Sequence, residues 1–493
     1  HVSLASSIKR VMVIAGAAAV ALGGVLALVP KLLPTESVRR TVVAELSQRL
    51  GTPVTIRGDI AISVLPQLSV RLGDVRFGDT EPGTGEPPAR AESVVGALRL
   101  LPLLAGSVSI SDYTLHRPLI SIRVAADGAS NWDKAFERLR EATRQRESGL
   151  TDFRITEGAA VVDDAKSGQR IDVTGIDFAV SWPGRDRQAN VSGKLVVNGE
   201  TVEINAVVAR PHALFVAEPT GIKMRFASTP LRGGFEGTLT NGDTLTGAGA
   251  LTLEGPSLRN LLRWLGQNPG IGPSFGPYAL KGQVEVLPNS LAFTKVNAEL
   301  DGNVADGALT ISFEGLRPQM RGTLDAGRVV ATTYFRDLHL APEGSQGWSR
   351  RPIDLSAIAS TDLDLRVSAR ELVIGSAQFG RSAAAVTARN GRLTVTLGEA
   401  QAYGGVLSGA LVVSPAGPDM DVKASLTVQR AQLGLGLGEW FGFRRLDGTA
   451  NVQIGIEARG DSMASLARTA NGQMSVTAIE GAVHGFNAEA ILR

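Results

Sequence analysis

Apolar and polar residues alternate one by one in many short segments of this 493-residue chain. A period of two places successive side chains on opposite faces of a β-strand, so each segment predicts a strand with one apolar face. Asn390 followed by Gly391, and Asp306 followed by Gly307, suit tight hairpins between such strands. The sequence therefore predicts a mostly β, predominantly antiparallel fold with few helices. The clearest apolar positions are Leu68, Val70, Leu72, Ile120, Ile122, Val124, Leu363, Leu365, Val367, Leu393, Val395, Leu397, Val452, Ile454 and Ile456.

Glycine content agrees with many short strands joined by turns. The chain has 57 glycines in 493 residues, about 12%, whereas aromatic residues make up only 5%. A fragment with a small or acidic residue, Gly, any residue and Leu begins at Ser192, at Asp306 and at Ser408. These fragments indicate either related multi-strand modules or a chance recurrence in a glycine-rich chain.

Few segments have the periodicity of a helix. Residues 35–50 form the clearest one, with Thr35 as N-cap and Gly51 as C-cap. One face of this helix carries Val38, Val42, Leu46 and Leu50. Shorter helices are predicted at residues 131–147, 257–265 and 462–470.

Residues 11–29 form a run of nineteen residues without a charge. A helix of that length spans about 28 Å, close to the ~30 Å hydrocarbon core of a bilayer. A cleaved signal peptide is the rival interpretation, but its apolar stretch is typically only about 7–15 residues long. We therefore expect a retained N-terminal membrane anchor over residues 1–30, with the remainder of the chain on one side of the membrane. The flanking charges do not decide its orientation.

Residues with catalytic or metal-binding chemistry are scarce. The chain has no cysteine, and its five histidines lie far apart in sequence. It has no phosphate-binding loop and no nucleophile elbow. A net charge of +2 gives no electrostatic reason to expect nucleic-acid binding. The sequence thus predicts a protein that is not an enzyme and has no cofactor and no metal.

The recurring apolar strand face permits two interpretations. It could be the core of a sandwich in which two sheets bury each other's apolar faces. It could instead line a groove for an apolar ligand. Strand periodicity alone favours neither.

Several stretches resemble the AsmA-like family of bacterial envelope proteins. They are residues 51–77 after the predicted span and helix, residues 91–132 with a Leu-Leu-Pro-Leu-Leu turn and a Gly-x-x-Asn-Trp ending, residues 348–367, residues 390–413 and residues 448–493. Their order and number carry the resemblance, which extends over most of the chain.

The resemblance implies an N-terminal transmembrane helix followed by a long, curved β-sheet that forms an elongated apolar groove. It implies a bridge-type lipid transfer protein, anchored in the bacterial inner membrane by a single span, with its large C-terminal part in the periplasm. Phospholipid would pass along the groove toward the outer membrane and support the integrity of that membrane. The alternative is a non-enzymatic scaffold or assembly factor for outer-membrane proteins. The partners implied are phospholipid, the inner membrane and envelope proteins.

This resemblance also suggests how the chain is divided. Residues 31–150 form an N-terminal AsmA-like region, residues 151–347 a middle β-rich groove region, and residues 348–493 a C-terminal AsmA-like region. Family members usually continue further, so we expect that last region to be truncated. Our hypothesis is that the fifteen alternating apolar residues named above line the lipid groove, and that the helix carrying Val38, Val42, Leu46 and Leu50 lies at the groove mouth.

Overall fold

A computed structural model describes residues 35–485 apart from short gaps. The gaps are residues 65, 100, 103–104, 106–108, 145–150, 166–167, 271, 273, 315–316, 337–343, 345–346, 357–358, 360 and 443. The predicted membrane span at residues 11–29 lies outside the described residues. None of the helices within the described ranges is long and apolar enough to cross a membrane.

Short helices are set among the strands. In chain order they are α1 (Thr35–Leu50), α2 (Asp133–Arg144), α3 (Pro211–Phe215), α4 (Leu258–Trp264), α5 (Thr332–Arg336), α6 (Leu433–Phe441) and α7 (Met463–Thr469). The four predicted helices are confirmed as α1, α2, α4 and α7. Ser257 caps α4 by accepting a hydrogen bond from the Asn260 amide at 3.2 Å. The sequence did not predict α3, α5 or α6.

Twenty-four strands make up most of the described chain. They are β1 (Val54–Ile56), β2 (Ile60–Ser63), β3 (Ser69–Phe77), β4 (Ala89–Leu98), β5 (Ile110–Val124), β6 (Thr151–Asp164), β7 (Gln169–Trp182), β8 (Ala189–Val197), β9 (Glu200–Val208), β10 (Thr220–Ala227), β11 (Arg232–Asn241), β12 (Leu245–Gly255), β13 (Tyr278–Leu287), β14 (Ser290–Leu300), β15 (Asn303–Ser312), β16 (Gln319–Val330), β17 (Asp362–Ile374), β18 (Ala377–Phe379), β19 (Ser382–Arg389), β20 (Arg392–Ala402), β21 (Gly405–Ala416), β22 (Asp419–Gln432), β23 (Leu446–Gly460) and β24 (Asn471–Val483). The prediction of a mostly β fold is confirmed.

The chain divides into two compact units. The first comprises His1–Ser228 with Thr238–Asp243, and the second comprises Thr229–Gly237 with Thr244–Arg493. Strand β11 therefore contributes residues to both.

Strands of the first unit pair in chain order from β3 to β10, and β1 and β2 both pair with β3. All these pairings are antiparallel except β5 with β6. Parallel neighbours need a crossover connection, and α2 lies in the segment that joins these two strands.

Helix α1 packs on the sheet of the first unit and forms a closed core there. Val42 and Val70 are fully buried, and Leu72 is 1% exposed. The same cluster contains Val38 and Leu46 from the helix. The helical period of about 3.6 residues brings these side chains of α1 to one face, above the alternate residues of β3.

Strands of the second unit also follow chain order. From β12 to β17 and from β19 to β24 each strand pairs with the next, and β17 pairs with both β18 and β19. The β16–β17 pairing is parallel and the others are antiparallel. Predominantly antiparallel pairing, as predicted, is therefore confirmed in each unit.

Val42→Ala is expected to lower the free energy of unfolding by about 2 kcal/mol, because deleting buried methyl groups leaves a cavity that neighbours fill only in part. Arg40→Ala, at an exposed position of the same helix, is the matched control and should change the stability by less than about 0.5 kcal/mol. Urea unfolding of the two purified variants measures the difference. Equal midpoints would contradict the packing of α1 on the sheet.

Candidate functional site

One face of the second unit's sheet is apolar in row after row. A row consists of residues that lie directly opposite one another on successive strands. The middle row runs through every strand from β12 to β24 except β18, and each member is apolar or glycine. Its members are Leu251, Gly282, Val296, Gly307, Leu324, Val367, Ala384, Leu397, Gly409, Leu426, Ile454 and Met474.

Three more rows lie beside the middle row on the same face. One is Gly249, Val284, Phe293, Leu309, Gly322, Leu365, Val386, Val395, Leu411, Ala424, Ile456 and Gly472. Beyond it lies the row of Gly247, Val286, Leu291, Ile311, Met320, Leu363, Ala388, Leu393, Val413, Val422 and Ala458. On the other side lies the row of Leu253, Leu280, Ala298, Ala305, Ala326, Ala369, Ser382, Ala400, Leu407, Val428, Val452 and Val476. We call these four rows the apolar face; Ser382 is their one polar member.

The apolar face is long and remains partly accessible. Because neighbouring strands lie roughly 4.8 Å apart, the eleven steps of the middle row cover about 53 Å. Val296 is the only buried member of that row, and Met474 at its end is 66% exposed. In a β-sandwich a second sheet would bury such a row almost completely. The burial therefore favours an open apolar surface over a sandwich core.

Two small clusters flank the apolar face. On one side, Leu466 of α7, with Ile353 and Leu355, packs against Val413 and Val422. On the other side, Ala377 and Phe379 of β18 pack against Ala400, Ala402 and Leu407. The middle row and the row through Val395 lie between these two clusters.

Tyr278, the first residue of β13, places a polar group on this side of the sheet. Its hydroxyl donates a hydrogen bond to the Pro230 carbonyl oxygen at 2.7 Å. Burial raises the pKa of Tyr278 to about 12, so the phenol is neutral at ordinary pH. The hydroxyl therefore adds no charge beside the apolar face.

The opposite face of the same sheet carries charged side chains. Arg321 faces Asp364 across β16 and β17 at 3.7 Å, and Lys423 faces Glu457 across β22 and β23 at 3.0 Å. Exposed pairs of this kind contribute little to stability. Their charges do favour solvation of that face, so the two faces of the sheet differ sharply in polarity.

Glycines in the rows allow neighbouring backbones to approach closely. A Cβ added to Gly307 would collide with the Thr323 carbonyl oxygen, and one added to Gly409 would collide with that of Ser425. Both glycines belong to the fragment that recurs in the sequence, and both lie in the middle row. The recurrence in this unit therefore marks equivalent strand positions.

The first unit has an apolar face of its own. One row consists of Leu72, Val94, Leu115, Ile155, Phe178, Gly193, Ile204 and Phe226. Its β3 and β4 members are buried in the core beneath α1, whereas those on β5 to β10 remain partly exposed. Helix α1 thus covers one end of this row and leaves the remainder open.

The comparison with known families agrees with this architecture. The model of the AsmA family matches residues 8–169 and 338–493. The chain belongs to the AsmA family. No curated protein and no solved structure matches it. Residues 170–337 lie between the two AsmA matches. They contribute all of β7 except its first residue, together with strands β8 to β16, and the apolar residues of these strands continue the rows of each unit.

Nine of the residues predicted to line a groove come together in this AsmA family member. They are Leu363, Leu365, Val367, Leu393, Val395, Leu397, Val452, Ile454 and Ile456, and all lie on the apolar face of the second unit. Ile120, Ile122 and Val124 are partly exposed on β5 of the first unit, and the first two lie opposite Ala160 and Val162. Their lining role remains a hypothesis.

The other predicted residues have a different environment. Val70 and Leu72 lie in the closed core with Val38, Val42 and Leu46, while Leu68 and Leu50 pack at its margin. Fully buried side chains have no surface left for a ligand. A charge introduced at Val70 would therefore test folding and not lipid binding, and we restrict the lining hypothesis to residues outside this core.

Sequence reasoning missed the part of the face formed by β12 to β16. Glycine and alanine occupy many of its positions, as in residues 247–250, and they give a weak hydrophobic signal. Alternation of these small residues with polar ones is the sequence pattern that could have predicted this part of the apolar face. Among the described residues, no group of three or more His, Asp or Glu side chains could hold a metal ion.

Gly307→Ala is expected to destabilise the second unit, because the new Cβ would push β15 away from the Thr323 carbonyl oxygen of β16. Gly455→Ala is the control, since a Cβ at that strand position meets nothing within 4 Å. Thermal unfolding should show a lower midpoint for the first variant and an unchanged or higher one for the second. Identical midpoints would rule out the close approach at Gly307.

Proposed function

We propose that this AsmA family protein carries phospholipid along its apolar faces, from the inner membrane toward the outer membrane. The observation that carries the proposal is the middle row of the second unit. It is apolar or glycine at every position over about 53 Å and yet is largely unburied. A surface that served only as a core would be covered.

The physical task is to keep acyl chains out of water. Exposing one CH₂ group to water costs about 0.8 kcal/mol, so a chain of about sixteen carbons faces a barrier above ~10 kcal/mol. An apolar face that contacts the chain at every step removes most of this barrier. The polar headgroup stays at the open side in water, because burying it without partners would cost several kcal/mol.

Movement along the face needs a surface without deep minima. The middle row has no charged or hydrogen-bonding side chain that would hold a lipid at one point. Its residues are Val, Leu, Ile, Met, Ala and Gly, which would bind acyl chains through contact area and not through directed bonds. We therefore propose a continuous path and not a single binding pocket.

The proposed location rests on the uncharged run at residues 11–29, which is long enough to anchor the chain in the inner membrane. Helix α1 begins six residues after the end of this run. The sheets would then lie in the periplasm, where the acyl chains of a lipid between two membranes must be shielded from water.

A scaffold for outer-membrane proteins is the second candidate. Strand β24 favours it, because all thirteen of its residues are exposed, including Val476 at 50% and Val483 at 58%. Among the described residues it pairs only with β23. An exposed strand edge of this length can pair with a strand from another protein.

A photo-crosslinking amino acid at Val395 tests which candidate is right. Val395 lies on the apolar face, and Thr396 beside it is exposed on the opposite face. Irradiation in living cells should give phospholipid adducts at Val395 and none at Thr396, as read by mass spectrometry of the purified protein. Protein adducts at Val395 without lipid would instead favour the scaffold.

Ala424→Arg is expected to interrupt the path, because a guanidinium group beside Leu411 and Ile456 makes that point polar. We expect a several-fold drop in phospholipid that copurifies with the protein, and a leakier outer membrane in the cells that depend on it. Ser425→Arg, on the exposed opposite face, is the matched control and should leave both unchanged. Circular dichroism checks that both variants fold. Unchanged lipid content in folded Ala424→Arg would contradict the proposed path.

A further inference from the structure

Two segments of the second unit that are distant in sequence contact each other on the apolar side of its sheet. We call residues 349–356, which precede β17, the strap, and residues 268–270, which follow α4, the tip. The structure describes every residue of both segments. The Ser356 hydroxyl donates a hydrogen bond to the Asn268 carbonyl oxygen at 3.2 Å, although these residues are 88 apart in sequence. The contact therefore joins a segment between β12 and β13 to one between β16 and β17.

The strap lies along one border of the apolar face. The Ile353 amide donates a hydrogen bond to the Asp461 carbonyl oxygen at 2.8 Å, just before α7. The side chains of Ile353 and Leu355 pack against the cluster that contains Val413. Val413 belongs to the border row that begins at Gly247. The strap is therefore held on the apolar side of the sheet, at this border.

The tip extends from the opposite border. Strand β12 ends at Gly255, which faces Tyr278, just beyond the border row of Leu253 and Leu280. Helix α4 and the tip follow this end of β12. Along β12 the two border rows are six residues apart, from Gly247 to Leu253, which is roughly 20 Å. Because a tip attached at one border touches a strap held at the other, the two segments together cross the apolar face.

A buried arginine fixes the tip on its own side of the sheet. Arg259 of α4 is only 8% exposed. It donates hydrogen bonds to the Pro269 carbonyl oxygen at 2.6 Å and to the carbonyl and hydroxyl oxygens of Ser274, both at 3.1 Å. Its guanidinium group also lies over the Phe275 ring, 5.4 Å from the ring centroid. The tip therefore has anchors that do not involve the strap.

The hydrogen bond between tip and strap is weak by comparison. The Ser356 hydroxyl has one proton, and an oxygen of the Asp354 carboxylate lies 2.5 Å from the hydroxyl oxygen, closer than the Asn268 carbonyl oxygen. An ionised carboxylate is the stronger acceptor, so it competes for this proton. The hydrogen bond that joins the two segments is therefore easily broken.

Opposite charges supply a second attraction between the segments. A Cβ built on Gly270 of the tip would lie 2.7 Å from the Asp354 carboxylate and 3.8 Å from the Arg259 guanidinium. The carboxylate of the strap and the guanidinium of α4 are therefore neighbours beside Gly270. Charges at this separation attract each other without the directed bonds of a close ion pair. Two segments with strong anchors of their own thus meet in a contact that can open.

We propose that the tip and the strap form a latch over the apolar face, which opens when the headgroup of a phospholipid passes. This inference rests on the proposed function, in which acyl chains lie on the rows and the headgroup stays in water on the open side. A headgroup on that side meets the closed latch, because the tip and the strap cross the same side. Burial of the headgroup beneath them would leave its polar groups without partners. The latch therefore opens, while each half stays held by its own anchors.

Because the chain has no cysteine, two labels can report the separation of tip and strap. Nitroxide labels at Asn268→Cys and Arg351→Cys leave the contact in place, since Asn268 contacts the strap through its backbone carbonyl and Arg351 is exposed. Thr323→Cys with Ser425→Cys is the matched control pair. Both positions are exposed in one row of the opposite face, five strand steps or about 24 Å apart.

Double electron–electron resonance measures both distances in the full chain, delipidated in detergent, before and after phosphatidylethanolamine is added. Mass spectrometry counts the bound lipid in the same samples. We expect bound lipid to produce a second, longer distance for the latch pair only. Bound lipid with an unchanged distance overturns the latch and leaves the proposed function intact. Bound lipid that lengthens both distances also overturns the latch, because the whole sheet would then have moved. Failure to bind lipid overturns the proposed function and the latch together.

Asp354→Asn tests the charge attraction in the same labelled chain. The amide keeps an oxygen that can accept from the Ser356 amide but loses the attraction to Arg259, so the longer distance should become several-fold more populated without lipid. Glu457→Gln is the matched control, because it removes an exposed charge that pairs with Lys423 on the opposite face. Circular dichroism checks that both variants fold. An unchanged distance distribution in folded Asp354→Asn would overturn the latch.

Discussion

Register between neighbouring strands is the constraint on which the rest of this structure depends. Each strand alternates apolar and polar residues, but alternation alone gives only separate half-apolar ribbons. Backbone pairing that sets Leu397 opposite Gly409, and Leu426 opposite Ile454, turns those ribbons into rows. A slip of one residue would move a strand's apolar side chains to the wet face. The charged pairs on that wet face, such as Lys423 with Glu457, are satisfied in the same register.

Similar apolar strand faces are buried in one part of this chain and partly exposed in another. On β3 they lie beneath α1 and form a closed core, in which Val70 has no exposed surface. On β20 to β23 of the other unit they remain partly open, with small clusters at the sides. The difference comes from what packs on the strand and not from the strand. Substitutions therefore test different things: a charge at Val70 would test folding, whereas an arginine at Ala424 would test the proposed lipid path.

Strand type and most helix positions could be predicted from the sequence, because alternation and caps such as Ser257 are local signals. The rows could not, because they depend on pairing between strands and on β-bulges. Bulges set Phe293 and Val296 on one face although they are three residues apart, and do the same for Leu397 and Ala400. Assigning every second residue of the sequence to one face therefore puts residues on the wrong face beyond each of these bulges. The burial of Leu72 could likewise not be predicted, since the alternation of apolar and polar residues around it matches that around Leu365.

The composition of the rows limits what the faces can do. Glycines such as Gly307 and Gly409 serve close strand approach and leave shallow places, while Leu309 and Leu411 fill the adjoining row. A binding pocket needs a few placed polar groups to fix one ligand orientation, and the middle row supplies none. A surface of this kind would bind acyl chains with nearly equal affinity at each strand. In the proposed function it would therefore lower the barrier to movement without setting a direction, and we expect direction to come from differences between the membranes at the two ends of the proposed path.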